Sequence, residues 1–170
     1  NPRAHDRCRL TDNRHFAATY LEPFPGRIPP EHAPNIESFW QDTGVQILFD
    51  AYNANPDSVE AAIEVLMSLP GHHLLVLGDL GELGPEAPSL HHRLGQKARE
   101  AGVEVLYTVG SLSAEATAGF GSRARHFPDQ ETLIAALSQE LGVSDLVLVK
   151  GSRRAAMDKV VSALCTQGEG

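Results

Sequence analysis

Ile47-Leu48-Phe49-Asp50-Ala51-Tyr52-Asn53-Ala54-Asn55-Pro56-Asp57-Ser58 is an apolar run that breaks into a dense polar turn and then a helix start. Ile47 to Phe49 reads as the end of a buried strand. After it come an acid, a phenol, two amides, a proline and a serine, more hydrogen-bonding capacity than a mere connection needs. Asn55-Pro56-Asp57-Ser58 suits a helix N-terminus, with proline pre-set for a first turn and short oxygen-bearing side chains able to cap free N–H groups. A strand that runs through a polar turn into a helix N-terminus is where α/β proteins place anionic ligands, because unpaired N–H groups and the helix dipole both favour negative charge.

The same rhythm continues outward from this stretch. Aliphatic runs at 45–49, 74–77, 103–109 and 146–149, with a weaker one at 124–127, alternate with segments of helical period. Val59, Ala62, Ile63, Leu66 and Met67 share one helical stripe, as do Leu90, Leu94 and Ala98, then Leu133, Ile134, Leu137 and Leu141, then Val160, Val161 and Leu164. Strands that are apolar on successive residues are covered on both faces. The expected fold is therefore α/β: a three-layer sandwich in which a mostly parallel, Rossmann-like sheet carries helices on both faces.

A length of 170 residues fits one domain with an extension. Residues 1–44 are rich in Arg, His and Pro and poor in aliphatic periodicity, which marks them as an extension or inter-domain linker ahead of an α/β domain at 45–170. Within the extension, 16–21 is a candidate helix end, 22–34 a proline-rich extended linker, and Phe39 and Trp40 are expected to dock it onto the body. A formal charge of -8 and a pI near 5.4 argue against nucleic acid or an anionic membrane surface as partner. The two cysteines, Cys8 and Cys165, have neither metal nor redox spacing, which argues against a disulfide scaffold and fits a reducing compartment. No apolar run reaches the ~20 residues of a membrane span, and the arginine-rich start lacks the apolar core of a signal peptide. The expectation is a cytoplasmic monomer without membrane insertion.

In a parallel sheet all carboxyl ends of the strands share one edge, which is the expected ligand edge. The segments that follow the strands there are 50–58, 78–84, 110–111, 126–129 and 150–154. Asp50 is placed to accept ribose hydroxyls or orient a cation, and equally to form the turn that caps the next helix. Tyr52, Asn53 and Asn55 suit a base, an amide or a phosphate, or else hold a tight turn. The glycine-rich run 78–84 matches neither G-x-G-x-x-G nor G-x-x-x-x-G-K-[ST]. Its Asp79 and Glu82 could join His91 or His92 on a metal, but the favoured reading has the two acids ordering the loop and the histidines on the exposed start of a helix. No metal ligand is assigned. Lys150, Ser152 and Arg153 sit between the last strand and the last helix, where cations are unfavourable unless an anion meets them, so a carboxylate or phosphate partner is expected. There is no G-x-S-x-G elbow and no H-E-x-x-H, and Cys165 on a late amphipathic helix reads as a buried or incidental thiol.

Three segments then agree on one family. Asp50-Ala51-Tyr52-Asn53-Ala54-Asn55-Pro56-Asp57-Ser58, Leu77-Gly78-Asp79-Leu80-Gly81-Glu82-Leu83-Gly84 with Leu90-His91, and Val149-Lys150-Gly151-Ser152-Arg153 resemble, in order and spacing, the C-terminal domain of the Mur ligases. The D-x-Y-N-A-N-P-x-S run is most similar to the branch that joins D-alanyl-D-alanine to UDP-N-acetylmuramoyl-tripeptide in peptidoglycan precursor synthesis. Pro25-Gly26-Arg27 is similar to the segment linking the family's central and C-terminal domains, so the extension would include the tail of a central domain.

The resemblance implies an ATP-dependent ligase of three domains, with the phosphate loop and the Mg2+ ligands in the central one. Asp50 would hold the ATP ribose, with Tyr52, Asn53 and Asn55 on the nucleotide side and Arg27 on the phosphates. Lys150, Ser152 and Arg153 would face the acceptor dipeptide or the phosphorylated intermediate. This chain alone would be inactive and would close over ATP. The family's K-G-S-R-G-M-R-M is here Lys150-Gly151-Ser152-Arg153-Arg154-Ala155-Ala156-Met157, so its second arginine is replaced by Ala156, and the interval from Arg27 to Asp50 is longer than usual. A stand-alone nucleotide-like binding module and a folylpolyglutamate synthase-like domain are the competing readings, the latter disfavoured by Asn53-Ala54-Asn55-Pro56.

Overall fold

Five strands carry the body: β3 (Gln46–Asp50), β4 (His72–Gly78), β5 (Val105–Val109), β6 (Ala124–Phe127) and β7 (Asp145–Lys150). They are parallel and lie in the order β3-β7-β4-β5-β6. The structure is a computed structural model and describes residues 8–11, 36–41, 44–50 and 55–166. Two further strands, β1 (Cys8–Thr11) and β2 (Ile36–Gln41), extend the sheet beyond β3, both antiparallel. Part of the region read as a linker thus pairs with the sheet, through backbone bonds that its uneven polarity does not announce. The candidate helix end at 16–21 and the proline-rich 22–34 lie outside the described residues.

Helices α1 (Pro56–Ser68), α2 (Ala87–Ala101) and α3 (Ala114–Phe120) cover one face, and α4 (Gln130–Glu140) and α5 (Asp158–Thr166) the other. Alternate residues of each strand feed the two cores. Leu48, Leu75, Leu77, Leu106 and Leu148 pack with α1 to α3, whereas Ile47, Leu74, Val76, Val147 and Val149 pack with α4 and α5. This double covering explains strands that are apolar at every position, and truncating one such leucine to alanine costs about 2–5 kcal/mol. Cys165 is buried on α5, one of the two alternatives expected for it, and is disulfide-bonded rather than a free thiol.

The placement of the helices creates the ligand edge. The chain leaves β4 toward α2 on one face and leaves β7 toward α5 on the other, and β5 and β6 diverge in the same way. Crevices open where neighbouring connections part to opposite faces. At the floor of the β4/β7 crevice, Gly78 and Gly151 meet so closely that a Cβ on Gly151 would lie 2.6 Å from Met157 Cγ and 3.4 Å from Gly78 Cα.

Candidate functional site

A cleft of about 590 Å³ occupies this divide, walled by the loops after β4, β5, β6 and β7. Asp79 ties its walls together. Its Oδ1 accepts the backbone N–H of Leu112 at 3.1 Å and of Ser113 at 2.7 Å, and its backbone carbonyl accepts the N–H of Ser152 at 2.9 Å. Gly110 makes the contact possible. Its φ is +108°, and a Cβ there would stand 2.4 Å from Asp79 Oδ1, so both conformation and space demand glycine.

The rest of this loop is held from behind by His91, which is 0% exposed. The Leu80 N–H donates to His91 Nε2 at 3.0 Å, and Nδ1 lies 2.7 Å from the carbonyl of Ala87. Nε2 is thus an acceptor and Nδ1 carries the proton, a neutral imidazole with both nitrogens used. This corrects the expectation of an exposed histidine. Burial follows from position, since His91 shares the inward face of α2 with Ala87, Leu94, Gly95 and Ala98. Glu82 is exposed at the cleft with φ +59°, a left-handed conformation uncommon for a residue other than glycine.

The β6 wall is the start of α4. Asp129 caps that helix through Oδ1, which accepts the N–H and hydroxyl of Thr132, both at 2.7 Å. These two bonds hold its carboxyl below the ordinary range, the backbone one most. Gln130 Nε2 donates to the carbonyls of Ala155 at 2.6 Å and Ala156 at 3.2 Å, fastening the β7 loop to α4. That loop is a single 3-10 turn, Arg153–Ala155, begun by Ser152 and ended by Ala156 at φ +51°.

The expected site residues fall into separate groups. Asp79, Glu82 and Ser152 wall the cleft. Arg153 is exposed but is not among its walls, whereas Arg154 is. Lys150 is 0% exposed and points to the α1 side, its Nζ 3.4 Å from Ser58 Oγ. Ser58 and Asn55 form a reciprocal cap: the Ser58 N–H donates to Asn55 Oδ1 at 2.8 Å, and the Asn55 N–H donates to Ser58 Oγ at 3.2 Å. Asn55 therefore uses its side-chain oxygen on α1, and Asp50 is the last residue of β3. Arg27, Tyr52 and Asn53 lie outside the described residues. Among the described residues no three His, Cys, Asp or Glu gather as a metal set. Sequence reasoning passed over Gly110, Gln130 and Arg154. The neighbouring Arg153-Arg154 pair was the available signal, but a 3-10 turn decides which of the two faces the cleft.

Residues 36–153 match the family described as Mur ligase, glutamate ligase domain. The chain is similar to the UDP-N-acetylmuramoyl-tripeptide--D-alanyl-D-alanine ligase of Escherichia coli (strain K12), at 40% identity over 124 residues that cover 72% of this chain and 27% of the ligase. The ligase of the same name from Bacillus subtilis (strain 168) is 32% identical over 136 residues, covering 76% of this chain and 30% of the relative. Among solved structures, MurF from Acinetobacter baumannii superposes with a TM-score of 0.66 at 32% identity, and the MurF ligase from Thermotoga maritima in complex with ADP with 0.65 at 25%. Each structural match covers 74% of this chain and 29% of the other. The chain spans less than a third of the length of the curated relatives it matches.

Proposed function

Because the chain belongs to the Mur ligase family through its glutamate ligase domain, we propose that it is the closing domain of an ATP-dependent ligase that adds D-alanyl-D-alanine to UDP-N-acetylmuramoyl-tripeptide. The extent of its likeness to ligases of that name carries the reading. In such a reaction a carboxylate oxygen of the tripeptide attacks the γ-phosphorus of ATP and ADP leaves. The neutral amine of the dipeptide then attacks the acyl carbon, the C–O bond to phosphate breaks, and the amine gives up its proton. This chain's part is to cover the nucleotide, keep water from a hydrolysable acyl phosphate and hold the amine in line.

The roles divide along the carboxyl edge. Asp50 takes the ribose hydroxyls, Tyr52, Asn53 and Asn55 line the nucleotide, and Arg27 reaches its phosphates. Lys150 and Ser152 serve the acceptor and the intermediate, and Arg153 the phosphorylated intermediate. The β3–α1 junction supports the first group, because it presents a capped helix N-terminus at the ligand edge. The cleft supports the part of Ser152, which is among its walls. The magnesium of such a ligase would be held by its central domain.

In the full-length protein, phosphate release should require both UDP-N-acetylmuramoyl-tripeptide and D-alanyl-D-alanine. Asp50→Ala should raise the KM for ATP at least tenfold, the scale of a lost hydrogen bond to a charged group, while the affinity for the UDP-linked peptide is unchanged. ATP kinetics untouched by that substitution would remove the ribose role.

A further inference from the structure

We infer that Arg154, rather than Arg153, is the residue that reads the carboxylate of the acceptor, an assignment that rests on the ligase reading above. Arg153 and Arg154 begin a 3-10 turn, and in that geometry successive side chains diverge by about a third of a turn. Only one of the two can face the cleft, and it is Arg154. Its direction is fixed by the anchoring of the turn. Ser152 N–H holds the near end to the Asp79 carbonyl at 2.9 Å, Gln130 Nε2 holds the carbonyls of Ala155 and Ala156, and Ala155 Cβ lies against the close approach of Gly78 and Gly151.

Charge completes the case. Three carboxylates wall the cleft with Arg154: Asp79, Glu82 and Asp129. Asp79 is committed to the Leu112 and Ser113 N–H groups and Asp129 to Thr132. Arg154 is the sole cation of the walls, among the described residues, and Glu82 the sole acid with no hydrogen bond or ion pair. One cation and one uncommitted anion complement a molecule with a carboxylate at one end and an amine at the other, which is the chemistry of an amino acid or short peptide acceptor. An arginine fork meets a carboxylate in two parallel bonds, so Arg154 selects for a free carboxyl terminus.

The test uses the full-length protein and compares D-alanyl-D-alanine with its C-terminal amide. In the wild type the free acid should have a KM at least tenfold below that of the amide. Arg154→Gln should raise the KM for the acid about tenfold or more, leave the amide unchanged and erase the discrimination, with the KM for ATP constant. Arg154→Lys should restore part of the preference, and Arg153→Gln should keep it. Retained preference in Arg154→Gln, or its loss in Arg153→Gln, overturns the assignment while leaving the ligase reading intact. A wild-type protein whose phosphate release does not depend on the dipeptide overturns both.

Discussion

Asp79 holds two backbone N–H groups of the β5–α3 turn, and Asp79→Ala leaves both without their acceptor. The expected loss is about 2 kcal/mol, read as a lower urea midpoint, and an unchanged midpoint would show that water replaces the carboxylate. Tyr107 belongs to the core on the α4–α5 face of the sheet. The hydroxyl of Tyr107 donates to Glu140 Oε2 at 2.7 Å, and Arg125 Nη1 donates to Oε1 at 2.5 Å with its guanidinium 5.1 Å above the ring of Phe127. The Tyr107 bond, first, and the Arg125 bond lower the Glu140 carboxyl below its ordinary value against some burial. Burial, then the Glu140 bond, raises the Tyr107 phenol well above its own. The carboxylate contribution is therefore complete above the unfolded value of about 4.3 and fades as pH falls through the lower folded one. The phenol contribution is complete below about 10 and fades as pH rises through the raised folded value. Tyr107→Phe removes the phenol link and the larger part of the carboxylate link, leaving the Arg125 bond, so urea midpoints between about pH 3 and about pH 11 should vary less than in the wild type; equal curves would dismiss the coupling.

Between elements, α2 and α3 approach backbone to backbone. A Cβ on Gly95 would stand 2.0 Å from the Ala116 carbonyl oxygen, and one on Gly119 2.0 Å from that of His92. Alanine would favour either helix by about 1 kcal/mol on propensity alone. Here it must push the helices apart and disturb Leu94, Ala98 and Phe120 between them, at about 1–3 kcal/mol or more. Gly95→Ala is expected to lower stability on balance, and a raised melting temperature would show that α3 moves freely. Four of the five parallel strands, β3, β4, β5 and β7, were legible from sequence because burial on both faces leaves nearly unbroken apolar runs, whereas β6, exposed at Arg125 and His126, gave only a weak signal. β1 and β2 were not, since neither alternates and each exists through pairing, Ser38 with Leu48 for one. The glycines of α2 and α3 were equally silent, because a glycine in a helical stripe shows its use only beside the backbone that approaches it.

For the molecule as a whole, the ligand edge was readable because a parallel sheet gathers the segments after its strands. The division of that edge into an α1 side and a cleft was not readable, since it depends on which face each helix takes. Lys150 and Ser152 are two residues apart, yet one is buried toward Ser58 and the other walls the cleft. The same division bears on what the chain can do alone. No G-x-x-x-x-G-K-[ST] run occurs in the 170 residues, so the strong phosphate grip of a nucleotide triphosphate site has no source within them. On the proposed division of roles this chain would supply only ribose and base contacts, a small share of those to ATP. The isolated chain is expected to bind ATP no more tightly than about millimolar, worth roughly 4 kcal/mol, and to release no phosphate. Calorimetric titration with ATP, beside a phosphate-release assay, checks both, and micromolar affinity in the isolated chain would mean that the grip lies within these residues after all.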